Sequence, residues 1–272
     1  MKTDCSLIIS TYNWPEALEL TLLSVLNQTI LPEEVIIADD GSTSATKDLI
    51  MRMQNLFTVP LIHIWHEDKG FRLAAIRNKA FAKASTPYIV QIDGDIILHA
   101  KFIEDHLHIA QPGFLLQGSR VMLGKMYSKS LFEKKSTYIN IWSPDIKRRE
   151  NGFRIPLLSR YLLKKYKNKY PIYYARGANM SFWKQDLIEV NGYNENFEGW
   201  GHEDSDLTLR LMNKGVKKMI IKFAAIAYHL FHPEKKEKSH EERNKSILAA
   251  SVKEKTIWNN FGLEKYLENG KS

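Results

Sequence analysis

Four short apolar runs, spaced by helical patterns, constrain this chain more than anything else in it. "SLIIS" (Ser6–Ser10), "EVIIADD" (Glu34–Asp40), "PLIHIW" and "YIVQIDGD" (Tyr88–Asp95) read as buried strands. Between them, "EALELTLLSVLNQ" follows Pro15, which suits a first helical position, and carries apolar residues at helical spacing. "TKDLIMRMQN" and "RLAAIRNKAFAKA" read as helices too. Strands alternating with helices build a parallel sheet covered on both faces. In open sheets of that kind ligands bind outside the carboxyl ends of the strands. "STYN", "DDGS" and "DGD" all fall at such ends.

After about Gly118 the rhythm changes, and residues 119–170 are long, basic and weakly periodic. "GANMSFW" (Gly177–Trp183) reads as a strand returning to the core. "EDSDLTLRLMNKG" reads as a helix from about Glu203 with Gly215 at its C-terminal end, and "AAIAYHL" as a final strand. Beyond Pro233 a charged, helical tail is expected. The 272 residues carry no internal repeat, so one domain with two halves fits better than two domains.

A single cysteine, Cys5, excludes an internal disulfide and points to a reducing compartment. The sequence has neither a signal-peptide pattern nor a run of about 18 apolar residues, so a cytoplasmic location is expected. The formal charge of +8 would suit nucleic acid, an anionic membrane face or a phosphorylated ligand. Most of the excess lies in Lys147–Tyr170 and in "KKMIIK" and "PEKKEK" near the C-terminus. In the first stretch Tyr161, Leu162, Leu163 and Tyr166 interleave with Lys and Arg, a pattern suited to peripheral contact with the inner membrane face or to an extended acceptor.

"DGD" ends an apolar strand, and strand periodicity puts Asp93 and Asp95 on one side. Two carboxylates converging there need a cation, and a hard divalent ion, Mg2+ or Mn2+, is the natural guest. Asp40 can accept the N3–H of a uracil ring, and Tyr12 can stack on a base. A pyrophosphate would need the metal and a cation such as Arg72 or Arg77.

These marks resemble the nucleotide-binding half of family 2 glycosyltransferases, carried by "LIISTYNWPEALELTLLSVLNQT", "EVIIADDGSTSAT", "AAIRNKAFAKA" and "IDGDIIL". The resemblance runs from about Ser6 to His232. It implies an α/β fold of GT-A type: a Rossmann-like mixed sheet flanked by helices, in one domain over residues 1–272. The nucleotide-binding half would reach about residue 118, an acceptor half about 119–232, and a helical tail 233–272. By resemblance Ser10, Tyr12, Asp40 and Arg72 hold uridine and phosphates. Asp93 and Asp95 are the Asp-x-Asp pair, with Asp95 the direct metal ligand. Gly177 and Asn179 would lie near the donor sugar.

"EGWGHEDSD" (Glu198–Asp206) concentrates acid in a basic chain. With its surroundings it resembles the C-terminal segment of β-1,4-galactosyltransferases and bacterial chondroitin-polymerase-type enzymes. That implies Asp204 as the base of an inverting transfer and Glu203 as the residue that positions the acceptor. Acid at a helix N-terminus is favourable on its own, but that does not explain "GWG". Trp200 offers a flat face to a sugar ring, and Gly199 and Gly201 permit close backbone approach. In "AYHLFHP", His229, with His232 as the alternative, would complete the metal site and shift preference toward Mn2+. His99, His106 and His108 read as surface or core residues. The implied partners are a UDP-sugar donor and a glycan or lipid-linked sugar acceptor. A sugar-1-phosphate nucleotidyltransferase would carry a Gly-rich, Arg-containing loop after the first strand, which "STYNWPEA" lacks. A nucleic-acid-binding protein would place cations at the strand ends, where this chain has acids.

Overall fold

The computed structural model describes residues 4–163, 165, 171–233 and 238–267. Its first half runs β1 (Cys5–Thr11), α1 (Pro15–Leu26), β2 (Glu34–Asp39), α2 (Ser44–Gln54), β3 (Leu61–Trp65), α3 (Leu73–Lys83) and β4 (Tyr88–Asp93). Then come β5 (Ile96–Leu98), α4 (Phe102–Ile109), β6 (Phe114–Gln117), β7 (Arg120–Leu123), α5 (Lys125–Lys134), β8 (Ile146–Lys147) and α6 (Pro156–Leu163). The last elements are β9 (Asn179–Trp183), α7 (Lys184–Glu189), α8 (Glu203–Asn213), β10 (Lys217–Ile220), β11 (Ala227–His229), α9 (Lys238–Glu254) and α10 (Glu264–Leu267).

Seven strands form the main sheet in the order β10-β6-β9-β4-β1-β2-β3. β1 lies between β2 and β4, parallel to both. β1 and β2 are buried along their whole length because both faces are covered. Leu7, Ile9, Val35 and Ile37 face a layer that includes Leu18, Leu22, Leu49 and Phe102. Ile8 and Ile36 face the opposite layer, with Ile76, Phe81, Leu207 and Leu211. The alternation of the first half therefore yields the parallel core expected of it. The complete sheet is mixed, because β9 inserts antiparallel between β4 and β6.

The weakly periodic region holds regular structure: β7, α5, β8, a 3-10 turn over Arg149–Gly152, and α6. Its pattern is faint because these elements are short and mostly solvent-facing; α5 buries only Ser128 and Leu131. Tyr166 lies outside the described residues, as do 167–170 of the basic stretch and residues 234–237 and 268–272 of the tail. Among the described residues no helix is long and apolar enough to cross a membrane.

A smaller sheet, β5-β11-β7-β8, lies beyond Asp95. β11 runs antiparallel to β5 with His229 opposite Ile96, and Leu230 N–H donates to the Asp95 carbonyl at 3.0 Å. This register carries the C-terminal histidines to the end of the Asp-Gly-Asp turn.

α8 is fixed by a fully buried ion pair. Arg210 Nε donates to Asp206 Oδ2 at 2.7 Å, with both side chains 0% exposed. Its other nitrogens donate to the carbonyls of Val190 and Gly192. Asp206 Oδ1 accepts from the Ser251 hydroxyl of α9 at 2.7 Å. Breaking a buried pair from one side strands the remaining charge. Arg210→Met should therefore lower stability by about 3–5 kcal/mol, measurable as a lower urea midpoint with an unchanged slope.

Candidate active site

Arg77, on α3, is 1% exposed and joins three parts of the chain. Its Nε donates to Ser10 Oγ at 3.0 Å, one NH2 group to Asp93 Oδ1 at 2.9 Å, and the other to Asp204 Oδ1 at 3.0 Å. Glu203 Oε1 lies 3.9 Å from the same nitrogen. The Tyr193 ring lies under the guanidinium, 5.3 Å from centroid to carbon. Ser10 and Asp93 end adjacent strands, and Asp204 opens α8. One cation thus ties the strand-end acid to the acids of "EGWGHEDSD". Arg77 serves the protein's own acids and is not a free phosphate ligand.

The two aspartates of "DGD" have different partners. Asp93 pairs with Arg77, whereas Asp95 faces His229 and His232, whose Nε2 atoms lie 3.6 and 3.4 Å from its Oδ2. The sequence argument that both carboxylates converge on one cation is therefore corrected: the protein neutralises Asp93 itself. Gly94 makes the turn possible. Its N–H donates to the Ser10 carbonyl at 2.7 Å, and a Cβ there would sit 2.8 Å from that oxygen.

One ligand atom from each of Asp95, His229 and His232 falls within 4.8 Å of the others. Asp95 Oδ1 and His229 Nδ1 are buried without a hydrogen-bond partner among the described residues. Burial pushes the His229 imidazole down, against the pull of Asp95, which favours the neutral, ligating form. A carboxylate, two imidazoles and unsatisfied buried polar atoms fit a divalent cation, with Mn2+ suited to the nitrogen content. The structure thus brings both histidine alternatives to the site.

Just after β2, Asp40 is buried and held from both sides. His66 Nε2 donates to its Oδ1 at 2.6 Å, and the Arg72 N–H to its Oδ2 at 2.8 Å. The Arg72 side chain turns back to the Glu67 carbonyl. Tyr12 is 49% exposed, with its hydroxyl donating to Asp68 at 2.9 Å. His66 and Asp68 carried no sequence signal, because they lie in the loop after β3 and meet Asp40 and Tyr12 only through folding.

At the start of α8, Asp204 accepts three bonds beyond its peptide. Arg77 and the Tyr193 hydroxyl (2.9 Å) share Oδ1, and Gly177 N–H donates to Oδ2 at 2.6 Å. Gln91 on β4 secures this arrangement by donating to the Gly177 carbonyl and the Tyr193 hydroxyl. A Cβ at Gly177 would lie 2.5 Å from Asp204 Oδ1, so a side chain there would displace the Asp204–Arg77 network. Asn179 is fully committed within the protein: its Oδ1 accepts from His106, and its amide donates to the carbonyls of Ser119 and Ala225. Its contribution to a substrate site is therefore positional. His106 is a buried core residue, as read from sequence.

Glu203 is 7% exposed and accepts from Gly201 N–H at 3.1 Å. Burial first, and then the neighbouring Asp204 charge, push its carboxyl well above the usual range, with Arg77 opposing. Gly199, Gly201 and the non-glycine His202 all have left-handed φ, of 71°, 111° and 73°. A Cβ at Gly201 would meet nothing within 4 Å, so the backbone there is open to a ligand. Trp200 is 47% exposed beside it. Strained backbone and an exposed aromatic ring next to a buried glutamate are typical of a binding site. Tyr193 was missed from sequence; it stands in "NGYNE", where nothing marks a buried phenol.

Residues 6–170 match the family described as Glycosyl transferase family 2. Residues 160–233 match one described as N-terminal domain of galactosyltransferase. Over 224 residues the chain is 27% identical to a validoxylamine A glucosyltransferase of Streptomyces hygroscopicus subsp. limoneus, covering 78% of this chain and 48% of that protein. Over 263 residues it is 25% identical to the chondroitin synthase of Escherichia coli, covering 92% and 38%. The chain spans less than half the length of either relative. A mannosyltransferase from Pyrobaculum calidifontis in complex with GDP-Man and Mn2+ superposes with a TM-score of 0.62 at 15% identity, covering 93% of this chain and 65% of that one. S. aureus TarS 1–349 in complex with UDP gives 0.61 at 15%, covering 97% and 68%. At this identity the likeness shows the fold, which is GT-A.

Glu203 gives this site a pH signature. A carboxyl raised in the folded state binds its proton more tightly there than in the unfolded chain, so stability falls as pH rises from the ordinary glutamate value toward the raised one. Glu203→Gln removes this loss. Its melting temperature relative to the wild type should therefore rise steadily between pH 5 and pH 8; a constant difference would remove the buried-acid assignment.

Proposed function

The chain belongs to glycosyl transferase family 2, and on that premise we propose that it is an inverting, metal-dependent transferase. It moves a hexose or N-acetylhexosamine from a UDP-sugar to a glycan or lipid-linked acceptor in surface polysaccharide synthesis. The observation that carries this reading is the shared guanidinium of Arg77, which holds the acid pair Glu203–Asp204 against the strand-end Asp93. A donor bound at the strand ends and an acceptor bound at α8 would then meet over one charge network.

A sugar hydroxyl is a poor nucleophile until its proton has a destination. A carboxylate offers about four lone-pair sites; the three donors on Asp204 orient it and leave room for one more. Asp204 accepts the acceptor's proton as the acceptor oxygen bonds to the anomeric carbon. On the opposite face the C1–O bond breaks, and its electron pair leaves with the diphosphate. Glu203, kept protonated by burial, donates a hydrogen bond to the acceptor and positions it. Environment thus divides two adjacent carboxyls between two roles. Trp200 supplies a face for the sugar ring, and Gly201 an open backbone.

Asp95, His229 and His232 would hold Mn2+ or Mg2+, which supplies Lewis-acid charge to the departing diphosphate when bound. The Mn2+ and GDP-Man in one relative of this fold, and the UDP in another, support a nucleoside diphosphate donor. UDP is favoured by Asp40 as an acceptor for N3–H and by the exposed Tyr12 ring. Peripheral contact with a membrane remains part of the proposal, supported by Leu157 and Tyr161, both exposed on α6 beside Arg160.

UDP should raise the melting temperature strongly with Mn2+ and little with EDTA, and Asp95→Ala should erase the difference. Equal stabilisation in both conditions would sink the metal bridge. Asp204→Asn keeps shape and removes basicity. It should leave UDP–Mn2+ stabilisation nearly intact while lowering sugar transfer by about 10²-fold or more. Transfer at the wild-type rate would move the base elsewhere.

A further inference from the structure

The nucleotide residues lie to one side of Asp93: Ser10 and Tyr12 at the end of β1, and Asp40 after β2. On the other side the same sheet edge continues through the start of β9 and the ends of β6 and β10. There a cavity of about 170 Å³ opens, lined in part by Ser119, Arg120, Arg148, Asn151, Arg176 and Lys222. Four of its lining side chains are cationic, and no Asp or Glu lines it.

Its walls are built by specific contacts. Asn151 donates to the Arg120 carbonyl at 3.0 Å and accepts from Lys222 Nζ at 3.2 Å. Arg176 Nε donates to the Tyr174 hydroxyl at 2.8 Å and lies over that ring. Arg148, with a left-handed φ of 55°, leads into the 3-10 turn at Arg149–Gly152 and lines the cavity. Among the described residues, Arg120, Arg148 and Arg176 form no ion pair with a carboxylate. Burial works against the charged form of Arg120; Asp93 and Asp95 oppose this, while Arg176 and Arg148 reinforce it. Like charges gathered in a partly buried pocket are costly, and an oxyanion relieves that cost. Guanidinium forks match carboxylate and phosphate oxygens in particular.

We propose that this cavity binds an oxyanion, a carboxylate or phosphate group, carried by the acceptor. The assignment rests on the transferase reading above and narrows its substrate to an anionic acceptor. The donor's nucleotide is the less suited occupant, because Ser10, Tyr12 and Asp40 lie at the ends of β1 and β2, across β4 from this cavity. The basic stretch thereby gains a purpose that its interleaved sequence left open.

The test uses the whole protein in EDTA, so that metal-bound anion does not contribute. Methyl β-glucuronide, inorganic phosphate and neutral methyl β-glucoside are titrated by NMR or calorimetry. At least one anion should bind, more weakly as salt rises, while the glucoside does not. Whichever anion is tighter indicates a uronate-bearing or a phosphate-bearing acceptor. Arg120→Met should weaken the anion by about tenfold. Arg176→Met, nearer the rim, makes the same test if the first variant fails to fold, as read from its unliganded melting curve. Saturating UDP–Mn2+ should not displace the anion. Equal binding of the glucoside, anion affinity unchanged in both variants, or displacement by UDP would overturn the proposal. Failure of UDP–Mn2+ to stabilise the wild type would instead undo the transferase reading, leaving the anion titrations readable on their own.

Discussion

The buried guanidinium of Arg77 is the interaction on which the rest of the site depends. Taking such a cation out of water costs several kcal/mol unless good geometry and additional hydrogen bonds offset it. Here Ser10, Asp93 and Asp204 all accept from it, and Tyr193 covers its face. Three carboxylates face this one cation, so the cluster carries excess negative charge. That excess, added to burial, is why Glu203 holds its proton and why the Tyr193 phenol is pushed far up. A basic chain concentrates acid at "EGWGHEDSD" because Glu203 and Asp204 are anchored from within by Arg77, 127 positions upstream of Asp204.

A second constraint is the tail. α9 packs on α8 and holds the glycine-rich loop from outside. Asn244 donates to the Glu198 carbonyl, Arg243 pairs with the Glu198 side chain, and Ser251 reaches Asp206. Gly199 lies so close to His240 that a Cβ would come within 2.6 Å. The left-handed residues at 199–202 therefore stand between a buried ion pair on one side and a packed helix on the other. This support keeps a locally unfavourable backbone in place, with Gly201 and Trp200 left open to solvent.

Much of the site was legible because its parts obey local rules. "DGD", "STYN" and "DDGS" follow apolar strands, and a parallel sheet sends such ends to one edge. "EDSD" opens a helix whose C-terminal Gly215 takes the left-handed φ of 108° that a helix stop favours. What stayed hidden depends on partners distant in sequence. Asp93 and Asp95 looked like a converging pair, since strand periodicity alone cannot show that a buried arginine claims one of them. Asn179 looked like a ligand, although its amide is consumed by His106 and two carbonyls.

The sequence by itself determined the order of strands and helices as far as β4, the parallel core of β1, β2 and β4, and the acids at the strand ends. These follow from apolar periodicity and turn chemistry, which act over a few residues. Tertiary structure alone decided which acid meets which partner. β11 pairing with β5 carries His229 and His232 to Asp95, although more than 130 positions separate them. The packing of α3 against the sheet brings Arg77 between Asp93 and Asp204. The turn at Arg149–Gly152 turns one end of a diffuse basic stretch into the wall of a cavity. Electrostatic roles fall off over a few ångströms and are screened by solvent, so they belong to the folded arrangement and leave little trace in the linear pattern.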